Sequence, residues 1–569
     1  MHTWDRLAAR RHAADGAIAL ALAGAVWLLY GPVLRLWWMY DDVFHLHFLL
    51  THRSWWYFFD ASGFRDFPAR LLTPLLFFSL DLDRRLSGFD PHPFYVHQLL
   101  ALSLCTATLY GVLRLWLARL GSAIGAWIFL IGPVTASLAS LLMVRHYIET
   151  VLLLALSVAA WAGAVQRSPG AGAWGRAGLS AALYFAACMA KEFAVPLFVL
   201  LPLLPPPGTR RPSFDERLRL ALPHAAAFVV YLLLRHAVLG TLLGGYGFAV
   251  QPSGVPALAL QLPGKIAAEF VAGQSSPAAL VFACALAAGA LSLFLTPHGR
   301  RAALLACLAL LLAMLPFLPA STRMEPRKAA PAWIVLAVAI AAGCSTLASG
   351  ESRTRRRAAY GIALAACAAG LWLNRQDWNV RFARAERMSA ENRFLLEMQE
   401  GDVLRQPLTL AASLRELEWM KEEVFRRPRG GRWFQDDLYL CLHRGPLGRV
   451  WGYSSNARQM VDLTEQVPAL RDRHCSTIRF KAPLHASFHF TGENLLWDLG
   501  PYREGTYRLV LDGGGQAFEV PRKAEFQARG QPPVLLLRVG YKSPDGWITY
   551  SPELRLLSVD GWSLRWSRP

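Results

Sequence analysis

Charge is scarce in this chain. Only 17% of its 569 residues are charged while 54% are hydrophobic, against roughly 25% charged in ordinary soluble domains. With a mean hydropathy of +0.28, a soluble enzyme is excluded. Lysine is scarcer still: seven of the 59 basic residues, so Arg supplies nearly all of the +19 net charge. Acidic residues are few where the chain is greasiest. Up to Leu373 there are 30 basic and 16 acidic residues (+14), and beyond it 29 and 24 (+5). The basic excess sits in short Arg clusters between apolar segments, which is how membrane topology is marked. A nucleic-acid groove would need basic residues interleaved with aromatics on a soluble face, so no nucleic-acid partner is expected. Cysteine is sparse too. Cys105, Cys188, Cys284, Cys307, Cys344 and Cys367 fall inside apolar runs with no metal-ligand spacing, where they act as small hydrophobes.

What is abundant is apolar runs near the roughly 20 residues that a bilayer requires. They lie near 16–36, 95–117, 122–142, 147–166, 219–239, 276–296, 301–319, 330–348 and 357–373. The stretch 177–206 is too long for one span and carries Lys191-Glu192 and then Pro196 at its middle. Read as a hairpin of two short helices, it puts Arg6, Arg10 and Arg11 on one side with Arg210/Arg211/Arg217/Arg219, Arg300/Arg301 and Arg353/Arg355/Arg356/Arg357. Read as one span, it moves the last three clusters to the other side. The positive-inside rule selects the hairpin. The expectation is an α-helical polytopic membrane protein with about eleven transmembrane helices, N-terminus inside and C-terminus outside. The first span lacks a small-residue cleavage site and ends in the aromatic anchor Trp37, Trp38 and Tyr40, so it is expected to stay attached.

The outward loop 37–94 is far longer than a connector and holds Asp41, Asp42, Asp60, Asp66, Asp81, Asp83 and Asp90. Asp41-Asp42 follow directly on the aromatic anchor, at the mouth of the first helix. That place suits a base serving a substrate whose other end is lipid. Val43 to Leu50 and Trp55 to Phe59 are dense in aromatics and predict a helix lying in the membrane interface. His45, His47 and His52 lack supporting carboxylate spacing and read as surface histidines rather than metal ligands.

From Asn374 the composition changes. The spacing predicts helices over 380–401 and 412–426, a connector within 374–432, and then a mainly β domain over 433–569. Its strands are expected at Leu438–Leu442, Thr477–Phe480, Ser487–Phe490, Tyr507–Leu511 and Trp547–Tyr550, as in a sandwich. Cys441 and Cys475 lie in this tail, outside the cytoplasm on the expected topology, where they can form a disulfide or remain two buried thiols.

The paired acidic residues beyond the first span, the long first loop with Arg70 and Pro74, and Pro93-Phe94-Tyr95-Val96-His97 resemble the GT-C superfamily. So do Gly132-Pro133, Arg145-His146-Tyr147-Ile148-Glu149 and Ala190-Lys191-Glu192-Phe193-Ala194-Val195-Pro196, with a weaker echo in Arg323-Met324-Glu325-Pro326-Arg327. These are integral-membrane glycosyltransferases that use polyprenyl-phosphate-linked sugars, here of the bacterial, O-mannosyltransferase-like branch. The resemblance spans residues 16–335 in pattern and implies a catalytic domain within 1–373. It implies inverting attack by an acceptor, with a carboxylate taking the acceptor's proton and cations holding the lipid phosphate as it leaves. Asp41 is then the favoured base, and Asp42 is left to orient the acceptor or to bind a divalent metal, Mg or Mn. Arg70, Arg145, Lys191 and Arg323 are the phosphate candidates, being cations at the membrane edge. His97, His146, Glu149 and Glu192 are candidates for holding those cations or the sugar. The implied partners are the lipid-linked donor, a glycan, lipid or protein acceptor, and the bilayer of a bacterial inner membrane, with active site and tail facing the periplasm. The competing reading is a non-catalytic transporter or flippase of envelope glycolipids. It would predict inverted repeats, and no duplication is evident.

Overall fold

The computed structural model describes residues 2–52, 54–61, 64, 71–242, 255–320, 325–349, 352–399, 401–405, 420–427, 432–433, 440–441, 446–479, 481–491, 494–511, 516–527, 534–557 and 563–564. Chain contacts divide it into two units. One is Met1–Leu36 with Phe44–Ala385, the other Trp37–Val43 with Glu386–Pro569.

The helices in chain order are α1 (His2–Tyr30), α2 (Asp42–Thr51), α3 (Pro74–Ser87), α4 (Pro91–Leu113), α5 (Arg119–Ile131), α6 (Pro133–Ser140), α7 (Arg145–Val165), α8 (Ala171–Ala190), α9 (Phe214–Leu220), α10 (Leu222–Leu239), α11 (Val255–Phe270), α12 (Pro277–Leu291), α13 (Pro297–Met314), α14 (Ala330–Ala348), α15 (Arg353–Glu397) and α16 (Val467–Cys475). Their starts follow local chemistry. Asp90, Ser276 and Thr296 each accept a backbone N–H with a Pro directly after them, a polar N-cap before Pro at the first helical position.

Among the described residues seven helical stretches are long and apolar enough to cross a membrane, or eight if the bent pair α5 and α6 is one span. Large side chains on their outer faces are bare, Leu28 at 86% and Leu311 at 69%, as lipid-facing residues are. The protein is therefore a multi-pass membrane protein with a later β-rich region. The expected eleven passes are not all met. The three that fall short of the test are the two arms around Lys191 and the segment 357–373, which is the front of the 45-residue helix α15.

The chain does reverse at Lys191. After α8 it continues as a 3-10 helix, Glu192–Leu203, with Pro196 and Pro202 inside it. Proline has no N–H and clashes with a preceding α turn, so this arm cannot be a regular α-helix. Leu201 packs with Ala173, Ala177 and Val165, and Arg210 Nη1 donates to the Val165 carbonyl at 2.7 Å. The two arms thus finish at the same end of the bundle, with Lys191 at the other. That other end also carries the starts of α4 and α7, joined where Arg145 Nη2 donates to the Phe94 carbonyl at 2.7 Å.

Between α5 and α6 the axis bends by 59° at Gly132-Pro133. The carbonyls freed by the break find new donors. Thr135 Oγ1 and Trp333 Nε1 donate to the Phe129 carbonyl at 2.6 and 3.0 Å, and Tyr30 Oη donates to that of Leu130 at 2.6 Å. In a membrane there is no water to do this.

In the second unit, β1 (Asp402–Leu404) pairs in parallel with β2 (Arg432–Trp433) and β3 (Arg449–Ser454), and β3 pairs antiparallel with β4 (Gln459–Asp462). Two antiparallel sheets follow. One has the order β5-β6-β9, from His485–Thr491, Asn494–Gly500 and Lys523–Gln527. The other has β13-β12-β10-β7-β8 with β11 on β10, from Ser563–Leu564, Leu554–Leu557, Val534–Lys542, Thr506–Leu511, Gln516–Val520 and Ile548–Tyr550. Phe488, Trp497 and Leu499 share one core with Tyr507, Leu537, Val539 and Tyr541, which is a sandwich.

The expected sandwich therefore begins only near residue 485, and the sheet before it is mixed. Leu440 and Cys441 are helical, not part of a strand: Leu440 is drawn into a core with Val403, Val450 and Leu470, and so short an apolar run carries no period to tell helix from strand. Thr477–Phe480 reduces to one bridge, Ile478 to Ile548, with Phe480 outside the described residues. The helix expected at 412–426 falls largely outside them, and Met420–Val424 is a single π turn. The helix expected at 380–401 is no separate element; it is the end of α15.

Candidate functional site

The acidic pair belongs to the second unit. Met39 N–H donates to Asp42 Oδ2 at 2.9 Å, and Asp42 N–H donates to the Met39 carbonyl at 3.0 Å. Asp42 thus closes its own turn at the start of α2 and is buried. Inside that turn Tyr40 is held at φ +49°. Asp41 is the partly exposed member.

In the first unit, Lys191 is only 2% exposed. Its extended backbone (φ −154°, ψ 137°) ends α8, and its Nζ lies 5.3 Å from the centre of the Tyr147 ring. Tyr147 in turn stacks on Phe193 and Phe317, with ring centres 6.1 and 6.2 Å away. His146, the preceding residue on α7, feels Lys191, His45 and Arg327 electrostatically. Its Nδ1 is buried with no hydrogen-bond partner of normal geometry among the described residues. Four basic side chains from α2, α7, the Lys191 turn and the segment before α14 therefore converge beside an aromatic wall. Arg327 also pairs with Glu325, Nε to Oε2 at 2.6 Å.

Arg145, one residue away, is occupied differently. It is 0% exposed. Its Nε donates to Gln98 Oε1 at 3.1 Å, Nη1 to Ser79 Oγ at 3.2 Å and to the Asp83 carboxylate, and Nη2 to the Phe94 carbonyl. His97 Nδ1 meets the other Asp83 oxygen at 2.7 Å. Arg145 thus spends its donors on α3 and α4 and ties them to α7. Glu149, a turn further on, faces this network through Ser79, and its Oε2 has no partner among the described residues.

Glu192 does not pair with its neighbour Lys191. It forms an ion pair with Arg235 of α10. Arg235 was missed in the sequence, although a lone Arg inside the apolar run 219–239 is itself a signal, since charge within a membrane is costly and needs a partner. Arg70 and Arg323 lie outside the described residues. His45, His47 and His52 are not the fully exposed group expected. His45 is buried against Phe77, ring centres 5.4 Å apart, and His52 stacks on Phe48 at 4.1 Å. The reason is that α2 folds into an aromatic box of Phe48, Tyr57, Phe64 and Phe77 instead of lying free in the interface.

Cys441 and Cys475 form a disulfide, with Cα atoms 5.5 Å apart. Among the described residues no three His, Cys, Asp or Glu side chains gather as a metal site. The Asp42 carboxylate, the one suggested for Mg or Mn, is engaged by Met39.

No family model matches the chain, and no curated protein does. Among solved structures it is similar to the archaeal oligosaccharyltransferase AglB from Archaeoglobus fulgidus in complex with an inhibitory peptide and a dolichol-phosphate, at 12% identity, covering 91% of this chain and 75% of that one, with a TM-score of 0.42. It is also similar to ArnT from Cupriavidus metallidurans bound to undecaprenyl phosphate, at 13% identity, 83% and 95% coverage and a TM-score of 0.41. A third likeness is to the arabinofuranosyltransferase AftD from Mycobacteria, at 15% identity, 90% and 40% coverage and a TM-score of 0.40. Likenesses at this level are too low to carry chemistry from those proteins to this chain.

Proposed function

We propose that the protein is a membrane glycosyltransferase of the GT-C kind, moving a sugar from a polyprenyl-phosphate donor to an acceptor on the periplasmic side of a bacterial inner membrane. The observation that carries this reading is the convergence of Lys191, Arg327, His146 and His45 beside Tyr147, Phe193 and Phe317. Cations next to an aromatic wall, at the end of a lipid-facing bundle, match an anion that is joined to an apolar chain. A prenyl phosphate is such a molecule.

In the reaction, the acceptor's oxygen or nitrogen attacks the anomeric carbon and the bond to the phosphate oxygen breaks. The acceptor's proton passes to the Asp41 carboxylate, and Lys191 and Arg327 stabilise the charge left on the lipid phosphate. Asp42 holds the turn. Arg145, with its donors spent inside the fold, is a structural tie between helices rather than a phosphate ligand. The Cys441–Cys475 bridge supports an extracytoplasmic tail, because disulfides persist in oxidising compartments. The acceptor is a cell-envelope glycan, lipid or protein.

The test uses purified full-length protein in liposomes with radiolabelled polyprenyl-phosphate sugars. Lys191→Met is expected to lose donor binding. Asp41→Asn is expected to bind donor as the parent does and to transfer nothing. Full transfer by both variants would refute the reading, and donor movement across the bilayer without transfer would favour a flippase.

A further inference from the structure

We infer that the tail of α15 is the positioning element for the acidic pair, with Ser389 and Asn392 holding Trp37 and Trp38 so that Asp41 is presented in one conformation. The inference deepens the reading above and rests on Asp41 being the base.

Segment 37–43 arrives from the first membrane helix, and its backbone from Leu36 to Met39 belongs to no helix or strand. Such a stretch has polar backbone groups that must find partners. Trp37 N–H donates to the Ser389 hydroxyl. Asn392 Nδ2 donates to the Trp38 carbonyl at 2.8 Å. Met39 N–H donates to Asp42. Three consecutive residues are thus pinned, two of them by side chains three positions apart on α15, which lie on one face of a helix. Both side chains are buried. Burying a hydroxyl and an amide is unfavourable unless each is hydrogen-bonded, and these two give their bonds to this segment. Arg393 adds a guanidinium 5.3 Å from the centre of the Trp37 ring, and Phe425 a ring at 6.3 Å.

The pinning has a chemical consequence at Tyr40. A positive φ is an outlier for a bulky residue and persists only when its surroundings hold it. Asp41 follows directly, so the direction of its carboxylate depends on that angle. Ser389 and Asn392 touch no substrate in this scheme. They are positioning residues, and they lie in the C-terminal unit, far along the sequence from the membrane motifs.

The experiment measures hydrogen exchange of the peptide covering 37–43, together with turnover of a polyprenyl-phosphate-linked sugar by the full-length protein. Ser389→Ala and Asn392→Leu are expected to speed exchange at Trp37 and its neighbours. They should lower kcat about 10- to 100-fold, the cost of misplacing a reacting group by about 1 Å, with KM for the donor unchanged. Ser389→Thr keeps the hydroxyl and should retain both properties. Exchange as slow as in the parent in both disruptive variants, or a loss of kcat that Ser389→Thr fails to restore, would overturn the inference. If Asp41→Asn alone leaves transfer intact, the base assignment fails instead, and the exchange data still report whether α15 holds the segment.

Discussion

Replacing Asp83 by Leu should destabilise the membrane half severely, and replacing Arg145 along with it should cost nothing further. Arg145 is wholly buried, and Asp83 holds it through one oxygen while the other meets His97. Removing one partner of a buried pair leaves an uncompensated charge and costs about 3–5 kcal/mol. Removing both and filling the space with apolar groups of similar volume is often nearly neutral. Asp83→Leu and Arg145→Met should therefore each cost about 3–5 kcal/mol, and the double variant no more than either alone. The implied coupling is about 3 kcal/mol, at the top of the range for residues in contact. The assay is equilibrium unfolding in mixed micelles, run as a double-mutant cycle, with donor binding measured alongside. If Arg145→Met left stability unchanged and abolished donor binding, and if the costs simply added, Arg145 would be a phosphate ligand and the reasoning would be wrong.

Gly132→Ala should destabilise by about 1–3 kcal/mol, the usual cost of overpacking, because a Cβ there would run into the Trp333 ring and displace it from the Phe129 carbonyl it satisfies; unfolding of the purified variant checks this. Reduction of Cys441–Cys475 should cost the second unit about 3–4 kcal/mol from loop-closure entropy across a sequence separation of 34, and Cys441→Ser should make unfolding insensitive to reductant. Asp462 is held below the usual carboxylate range by the Thr464 hydroxyl, then by its N–H and by Arg449. Its contribution to stability is therefore present above about pH 4 and lost as pH falls below that value, so Asp462→Asn should be less stable than the parent near neutrality and converge with it in acid.

Several elements were legible because they are written in local chemistry. Pro196 and the charged pair before it marked the reversal at Lys191, and the arms do meet where Leu201 packs with Ala173 and Ala177. Alternating apolar residues marked β5, β7 and β11. Others had no local signature. Val43 to Phe59 read as an interfacial helix, since aromatics suit both a membrane surface and a core, and only contact with Phe64 and Phe77 distinguishes them. Leu373 looked like the end of the membrane half because apolar runs stop there, yet α15 continues unbroken to Glu397 and the second unit begins at Glu386.

Composition and spacing alone were enough to establish a membrane chain and its reversal at Lys191, because hydropathy and proline act over a few neighbours. Pairing was a matter for the folded chain. That Glu192 belongs to Arg235 and not to Lys191, that Arg145 is spent on Asp83, and that Trp37 and Trp38 are held by Ser389 and Asn392 depends on side chains from helices distant in sequence. Buried charges and polar groups take whichever partner the packing brings within hydrogen-bond reach, and sequence adjacency places no such constraint.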